Sequence, residues 1–184
     1  PSLFGEPGRP VGLGYTLGVI TETLCVRSEV NAWASDRSSS IVDWLRALAR
    51  SAHGECGGRG VGAVGMCFTG NFALSMMLAP SVLAPVLCQP SLPFNQPEAL
   101  QISPDELATV KQRLERERLS VRAYRFEGDH FCTAQRFAAY AAALGPRFEA
   151  TVLPTSAANP NPPPFFEKVV GCAQLNPYGG YTAN

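Results

Sequence analysis

Apolar residues recur at two different spacings along the chain, and together they predict alternating strands and helices. Segments from Ser40 to Gly57 and from Ser103 to Arg118 carry an apolar residue at every third or fourth position, which is typical of amphipathic helices. The short apolar run of residues 61–67 is bounded by glycines, as in a buried parallel strand. Alternation of this kind predicts an α/β fold with a mostly parallel sheet.

Further elements follow the same rules. Ser40 is the predicted N-cap of the first helix, and Trp44 on its apolar stripe is predicted to pack into the core. Ser103 followed by Pro104 marks the start of another helix, and the arginines near its end, including Arg113, are predicted to form a solvated face. Residues 81–93 are predicted as a buried strand that runs into a proline-rich loop. Strands are also predicted over residues 121–126 and 148–154, and helices over residues 69–78 and 133–144.

Both ends of the chain are rich in glycine and proline. Residues 1 to about 20 are predicted as a loop, residues 18–30 as a short strand and residues 159–184 as a loop-rich tail. No internal repeat divides the sequence. Residues 1–184 are therefore predicted to form a single domain.

The overall composition narrows the classes of function. Hydrophobic residues make up 46% of the 184 positions, and the 15 basic and 15 acidic residues balance to zero net charge. That balance gives no basic footprint for a nucleic acid. No apolar run reaches the ~18 residues of a membrane span, and the first residues do not resemble a secretory signal. We expect a cytoplasmic protein with no nucleic-acid or membrane partner.

Six cysteines are present, and we expect them to be reduced thiols because the chain is core-rich and shows no secretory signal. No Cys-x-x-Cys pair occurs, so a structural metal site is not expected. The glycines from Gly60 to Gly65 fit a dinucleotide-binding pattern, but they lie within the predicted strand and no acid follows at the ribose position. We therefore expect no cofactor.

The sequence Gly65-Met66-Cys67-Phe68-Thr69-Gly70 joins a predicted strand to a predicted helix, which is the context of a nucleophile elbow. A cysteine at this turn would lie at the carboxyl end of the sheet, near a helix N-terminus that favours the thiolate. The N–H of Phe68 could then donate to an oxyanion. Thr69 stands where the pattern usually has glycine. The alternative is that Cys67 is only a small buried hydrophobic residue.

Three stretches resemble the dienelactone hydrolase family: GVGAVGMCFTGNFALSMM with the following APVLCQPSLP, WLRALARSAH before them, and YRFEGDHFCTAQRF after them. The resemblance covers most of residues 30–155. It implies an α/β-hydrolase-like three-layer sandwich that opens esters and lactones through a Cys-His-Asp triad. Cys67 would be the nucleophile and Asp129 the acid of that triad.

The chain departs from the family at the base of the triad. The family places its histidine after the last strand, whereas this chain has only His53 and His130. His53 ends a predicted helix, where it suits the helix dipole. His130 is therefore the candidate base, although it directly follows Asp129, and adjacent residues rarely form an acid–histidine pair that also aims at a third group.

The start of the chain also differs from the family. The first four residues, PSLF, resemble the segment that comes after the early strands of the family, so those strands are predicted to be missing. An open sheet edge would result, and open edges invite pairing with another chain. We therefore hypothesise a homodimer or a swapped assembly.

Three functional hypotheses remain open at this point. The first is a hydrolase of a small-molecule ester or lactone, weakened if no histidine serves Cys67. The second is a non-catalytic relative that binds a small molecule or acts as an assembly module. The third is a redox-sensing protein whose Cys67 and Cys88 form a disulfide, which requires their sulfurs to lie within bonding reach.

Overall fold

The computed structural model describes residues 13–22, 30 and 32–158. Its sheet has four parallel strands in the order β1-β2-β3-β4, namely β1 (Val61–Met66), β2 (Val82–Cys88), β3 (Val121–Phe126) and β4 (Phe148–Leu153). The helices are α1 (Leu13–Thr21), α2 (Ile41–Cys56), α3 (Phe72–Ser75), α4 (Pro104–Glu117) and α5 (Ala134–Leu144). The predicted α/β class with a parallel sheet is confirmed.

The main core lies on one face of this sheet. Crossovers between parallel strands are almost always right-handed, so a strand order that follows the chain brings the connecting helices to the same face. Ala63, Leu87, Ala123 and Phe148 share that face through the strand register and pack in one cluster with residues of α2 to α5. On the opposite face Val64 is 68% exposed.

Helices α2 to α5 thus form one layer against the sheet. A three-layer sandwich also requires a helical layer on the opposite face of the sheet. Helices α2 to α5 do not form that layer, so the three-layer sandwich stays a prediction. No helix in the described ranges combines the length and apolarity needed to cross a membrane.

Helix α1 corrects the prediction for the N-terminal part of the chain. A loop was expected to about residue 20 and a strand from residue 18, but residues Leu13–Thr21 are helical. Gly14 and Gly18 argue for a loop, yet a glycine costs a helix only about 1 kcal/mol. The expectations for residues 1–12, 23–29 and 159–184 lie outside the described residues.

Two side-chain predictions are also wrong. Trp44 is 46% exposed, because the buried stripe of α2 runs through Val42 and Ala49 instead. Arg113 is buried, because its guanidinium donates to the carbonyls of Met77, Ala79 and Pro80 at the end of the segment after α3. An arginine with this many backbone acceptors is satisfied inside the protein.

Candidate active site

Cys67 follows β1 directly and has a backbone φ of 53°, in the left-handed region. Side chains with a Cβ are disfavoured there, and such a residue persists only where its surroundings hold it. The conformation turns the chain sharply from the strand into a short 3₁₀ helix, Cys67–Thr69, and leaves Cys67 half-buried.

Two glycines make this turn possible. A Cβ on Gly65 would overlap the carbonyl oxygen of Thr69, and a Cβ on Gly70 would lie 2.5 Å from the Cα of Pro90. Contacts this short with backbone atoms exclude a side chain at either position. The glycines of the sequence motif are therefore required by the close approach of the strand, the turn and the loop after β2.

Thr69 explains why the motif tolerates a residue other than glycine. Its hydroxyl donates to the carbonyl of Met66 and accepts from the N–H of the same residue, both at 3.0 Å. These bonds close the turn around Cys67. Thr69 therefore stabilises the elbow.

Asp129 lies in the turn that follows β3 and is 5% exposed. Its Oδ1 accepts from the N–H groups of Phe131 at 2.9 Å and Cys132 at 2.8 Å. Its Oδ2 is buried and has no hydrogen-bond partner among the described residues. Burial raises the pKa of the carboxyl, while the two N–H donors and then the charges of Arg125 and His130 lower it. One buried acceptor oxygen is thus left for a further donor.

Cys67, Cys88 and Asp129 meet at one edge of the sheet, because β1, β2 and β3 are parallel and all three residues lie at or just beyond the carboxyl ends. Cys132 lies near both Asp129 and Cys67. Burial raises the pKa of its thiol, and the neighbouring charges of Asp129 and, to a smaller extent, Cys67 raise it further. The structure therefore brings the predicted nucleophile and the predicted acid to the same edge.

The two histidines take different places. His53 lies in the last turn of α2, where its Nε2 is 3.1 Å from the carbonyl of Gly58. That position precedes β1 and so lies at the opposite edge of the sheet from Cys67. His130 is exposed and lies beside Asp129, whose pKa its charge lowers. The role of His130 as base remains a prediction.

Comparison with known proteins does not extend this picture. No protein-family model, curated protein or solved structure matches the chain. The dienelactone hydrolase resemblance therefore rests on the sequence motifs alone.

Phe68, the predicted oxyanion donor, belongs to the first turn of the 3₁₀ helix, where backbone N–H groups have no acceptor within the helix. Its ring joins an aromatic cluster that no sequence pattern predicts. Phe94 is the centre, with its ring centroid 5.5 Å from Phe68, 6.0 Å from Phe131 and 5.3 Å from Trp33. Trp33 is 53% exposed, so the cluster presents apolar surface beside the elbow.

Cys88 ends β2 and is half-buried, and burial raises the pKa of its thiol. No disulfide links the described cysteines, Cys56, Cys67, Cys88 and Cys132. No cluster of His, Cys, Asp and Glu within the described ranges is suited to hold a metal ion. The described groups at this end of the sheet include the thiols of Cys67, Cys88 and Cys132 and the buried carboxyl of Asp129.

Proposed function

We propose that the chain is a hydrolase of carboxylic esters or lactones on an α/β-hydrolase-like scaffold, with Cys67 as the nucleophile. The left-handed φ of 53° at Cys67, between a parallel strand and a helical turn, carries this proposal. Backbone strain of this kind clusters at active sites and ligand clamps, where the surrounding structure holds it in place. The motif resemblance supports the same assignment.

In the proposed reaction the Cys67 thiolate attacks the carbonyl carbon and forms a C–S bond. The N–H of Phe68 donates to the oxygen on which negative charge develops. The ester C–O bond then breaks, and the alkoxide leaves with the proton that the base had taken from the Cys67 thiol. Water then attacks the thioester and breaks its C–S bond, which gives the carboxylic acid and returns a proton to Cys67. Asp129 orients that base, for which His130 is the candidate in this chain.

The aromatic cluster suggests which substrates suit the site. Phe68 is next to the nucleophile and Phe131 is two residues from Asp129, so the cluster borders the edge where the reaction would occur. Apolar walls with a few polar groups are typical of small-molecule sites. We therefore favour substrates with an apolar or aromatic group. The cytoplasm, where thiols are kept reduced, is the location we propose for this thiol nucleophile.

Hydrolysis of p-nitrophenyl acetate tests the proposal, with Cys67→Ala as the decisive variant. We expect Cys67→Ala to abolish release of nitrophenolate, while Cys56→Ala, an exposed thiol at the end of α2, retains the wild-type rate. His130→Ala should lower the rate if His130 is the base. In a comparable serine hydrolase, loss of the histidine costs on the order of 10⁶ in rate. Equal rates for wild type and Cys67→Ala would refute the proposal.

The outer strand of the sheet, β1, favours a second function. Within the described residues β1 pairs only with β2, and it carries Val64, 68% exposed, and Met66, 36% exposed. An open apolar edge strand is a template for pairing with another chain. We propose as the alternative that the protein is an assembly module that forms a homodimer through β1.

Sedimentation analysis of Val64→Lys tests the alternative. A dimer through β1 should dissociate in this variant, because two lysines would then face the shared interface. The matched control is Val152→Lys, which places the same charge on the opposite edge strand, β4, at a residue 45% exposed. A wild-type monomer at micromolar concentration, or equal loss of dimer in both variants, would exclude pairing through β1.

A further inference from the structure

The loop after β2 holds one buried polar side chain against the elbow. Ser91 is 1% exposed, and its Oγ lies 3.5 Å from the Sγ of Cys67. The N–H of the same residue donates to the carbonyl of Cys67 at 3.1 Å. Ser91 thus contacts both the backbone and the sulfur of Cys67.

The loop is anchored so that this contact is held in place. Gln89 has a φ of 43°, and its N–H donates to the carbonyl of Tyr124 on β3 at 2.6 Å. Pro90 packs against Gly70, where no side chain would fit. The carbonyl of Cys67 also accepts from the N–H of Gly70 at 3.0 Å. Ser91 therefore reaches the sulfur from a backbone fixed on both sides.

We propose that Ser91 is a positioning residue for Cys67, whose hydroxyl orients the sulfur and donates a hydrogen bond to its thiolate. This inference concerns the same thiol as the proposed function, and it does not depend on ester hydrolysis. A hydroxyl donates to a thiolate more strongly than a thiol and a hydroxyl bond to each other, because the acceptor then carries the charge. Ser91 therefore stabilises the reactive form of Cys67.

The pH dependence of alkylation measures this effect. Iodoacetamide labelling of Cys67 is followed peptide by peptide in the folded protein from about pH 5 to 10, so that the other cysteines are scored separately. In Ser91→Ala we expect the midpoint of the labelling rate to rise by about one pH unit, with about ten-fold slower labelling at neutral pH.

Neighbouring groups do not account for such a shift, because the substitution leaves them unchanged. Among the described residues, the charged and titratable side chains at this edge come from the end of β2 and from the end of β3 with the segment after it: Cys88, Arg125, Glu127, Asp129, His130 and Cys132. Ser75→Ala is the matched control, since Ser75 is also 1% exposed but its hydroxyl has no hydrogen-bond partner within the described part of the chain. Its midpoint should equal that of the wild type.

A second pair of variants separates the hydroxyl from its bulk. Threonine and valine have the same shape, and only threonine keeps the hydroxyl donor. The midpoint of the Cys67 labelling rate should therefore be about one pH unit lower in Ser91→Thr than in Ser91→Val. Equal midpoints for Thr and Val, or for Ser91→Ala and Ser75→Ala, would overturn the inference. A shifted midpoint in a protein that does not hydrolyse esters would reject the proposed function and leave the role of Ser91 standing.

Discussion

Replacing Cys67 with glycine should make the protein more stable than replacing it with alanine. Both variants lose the sulfur, and they differ only in the Cβ. At a φ of 53° that Cβ costs about 1–2 kcal/mol relative to glycine. The greater freedom of glycine in the unfolded chain offsets about 0.5–1 kcal/mol of this. We expect Cys67→Gly to exceed Cys67→Ala by about 0.5–1 kcal/mol in unfolding free energy.

Urea denaturation followed by circular dichroism measures this difference, which corresponds to a Tm change of about 2 °C in a chain of this length. Ala47→Gly is the control, because Ala47 is exposed within the regular helix α2 and loses the same atom. There glycine should lower stability by about 1 kcal/mol. The sign of the alanine-to-glycine change should therefore reverse between positions 67 and 47.

A Cys67→Gly variant less stable than Cys67→Ala would refute the reasoning. It would mean that residue 67 has an ordinary right-handed or extended backbone. The elbow, and with it the main support for a nucleophile at this position, would then be lost. The experiment needs no substrate, so it tests the geometry independently of the activity.

Two further predictions concern the surroundings of Cys67. Burial raises the pKa of Asp129, so the folded state binds its proton more tightly than the unfolded chain and stability falls as pH rises from the ordinary aspartate pKa through the raised value. Asp129→Asn should remove that fall above the ordinary aspartate pKa. Equal slopes of stability against pH in urea titrations of both proteins would contradict the prediction. Phe94→Ala should lower about five-fold the ratio of the rates at which N-phenylmaleimide and iodoacetamide label Cys67. An unchanged ratio would show that the aromatic cluster does not face the reagent.

Local patterns were sufficient for most of the secondary structure. The strands at residues 61–66, 121–126 and 148–153 and the helices at residues 104–117 and 134–144 follow periodicity and capping, which depend on neighbours in the sequence. Trp44 was misplaced because periodicity alone leaves the rotation of a helix uncertain by one position. Arg113 was misplaced because its backbone acceptors lie 33 to 36 residues away.

The parts of the site also differ in whether they depend on neighbours in the sequence or on residues far along the chain. Cys67 and its flanking glycines form one continuous motif, so the sequence alone identified the elbow. Ser91 is 24 residues from Cys67, and only the anchoring of the loop after β2 brings the two together. The aromatic cluster draws its rings from separate segments, and no spacing rule connects them.

Two unfavourable features occur at one edge of the sheet, and their coincidence supports a functional interpretation. Cys67 has a strained backbone, and Asp129 keeps a buried carboxylate oxygen without a donor in the described part of the chain. Each lowers stability, and glycine at position 67 would relieve the strain at that position. Strain and buried ionisable groups that converge on a thiol are typical of active sites, where stability is lowered in favour of chemistry. A scaffold that served only for assembly through β1 would gain nothing from either feature.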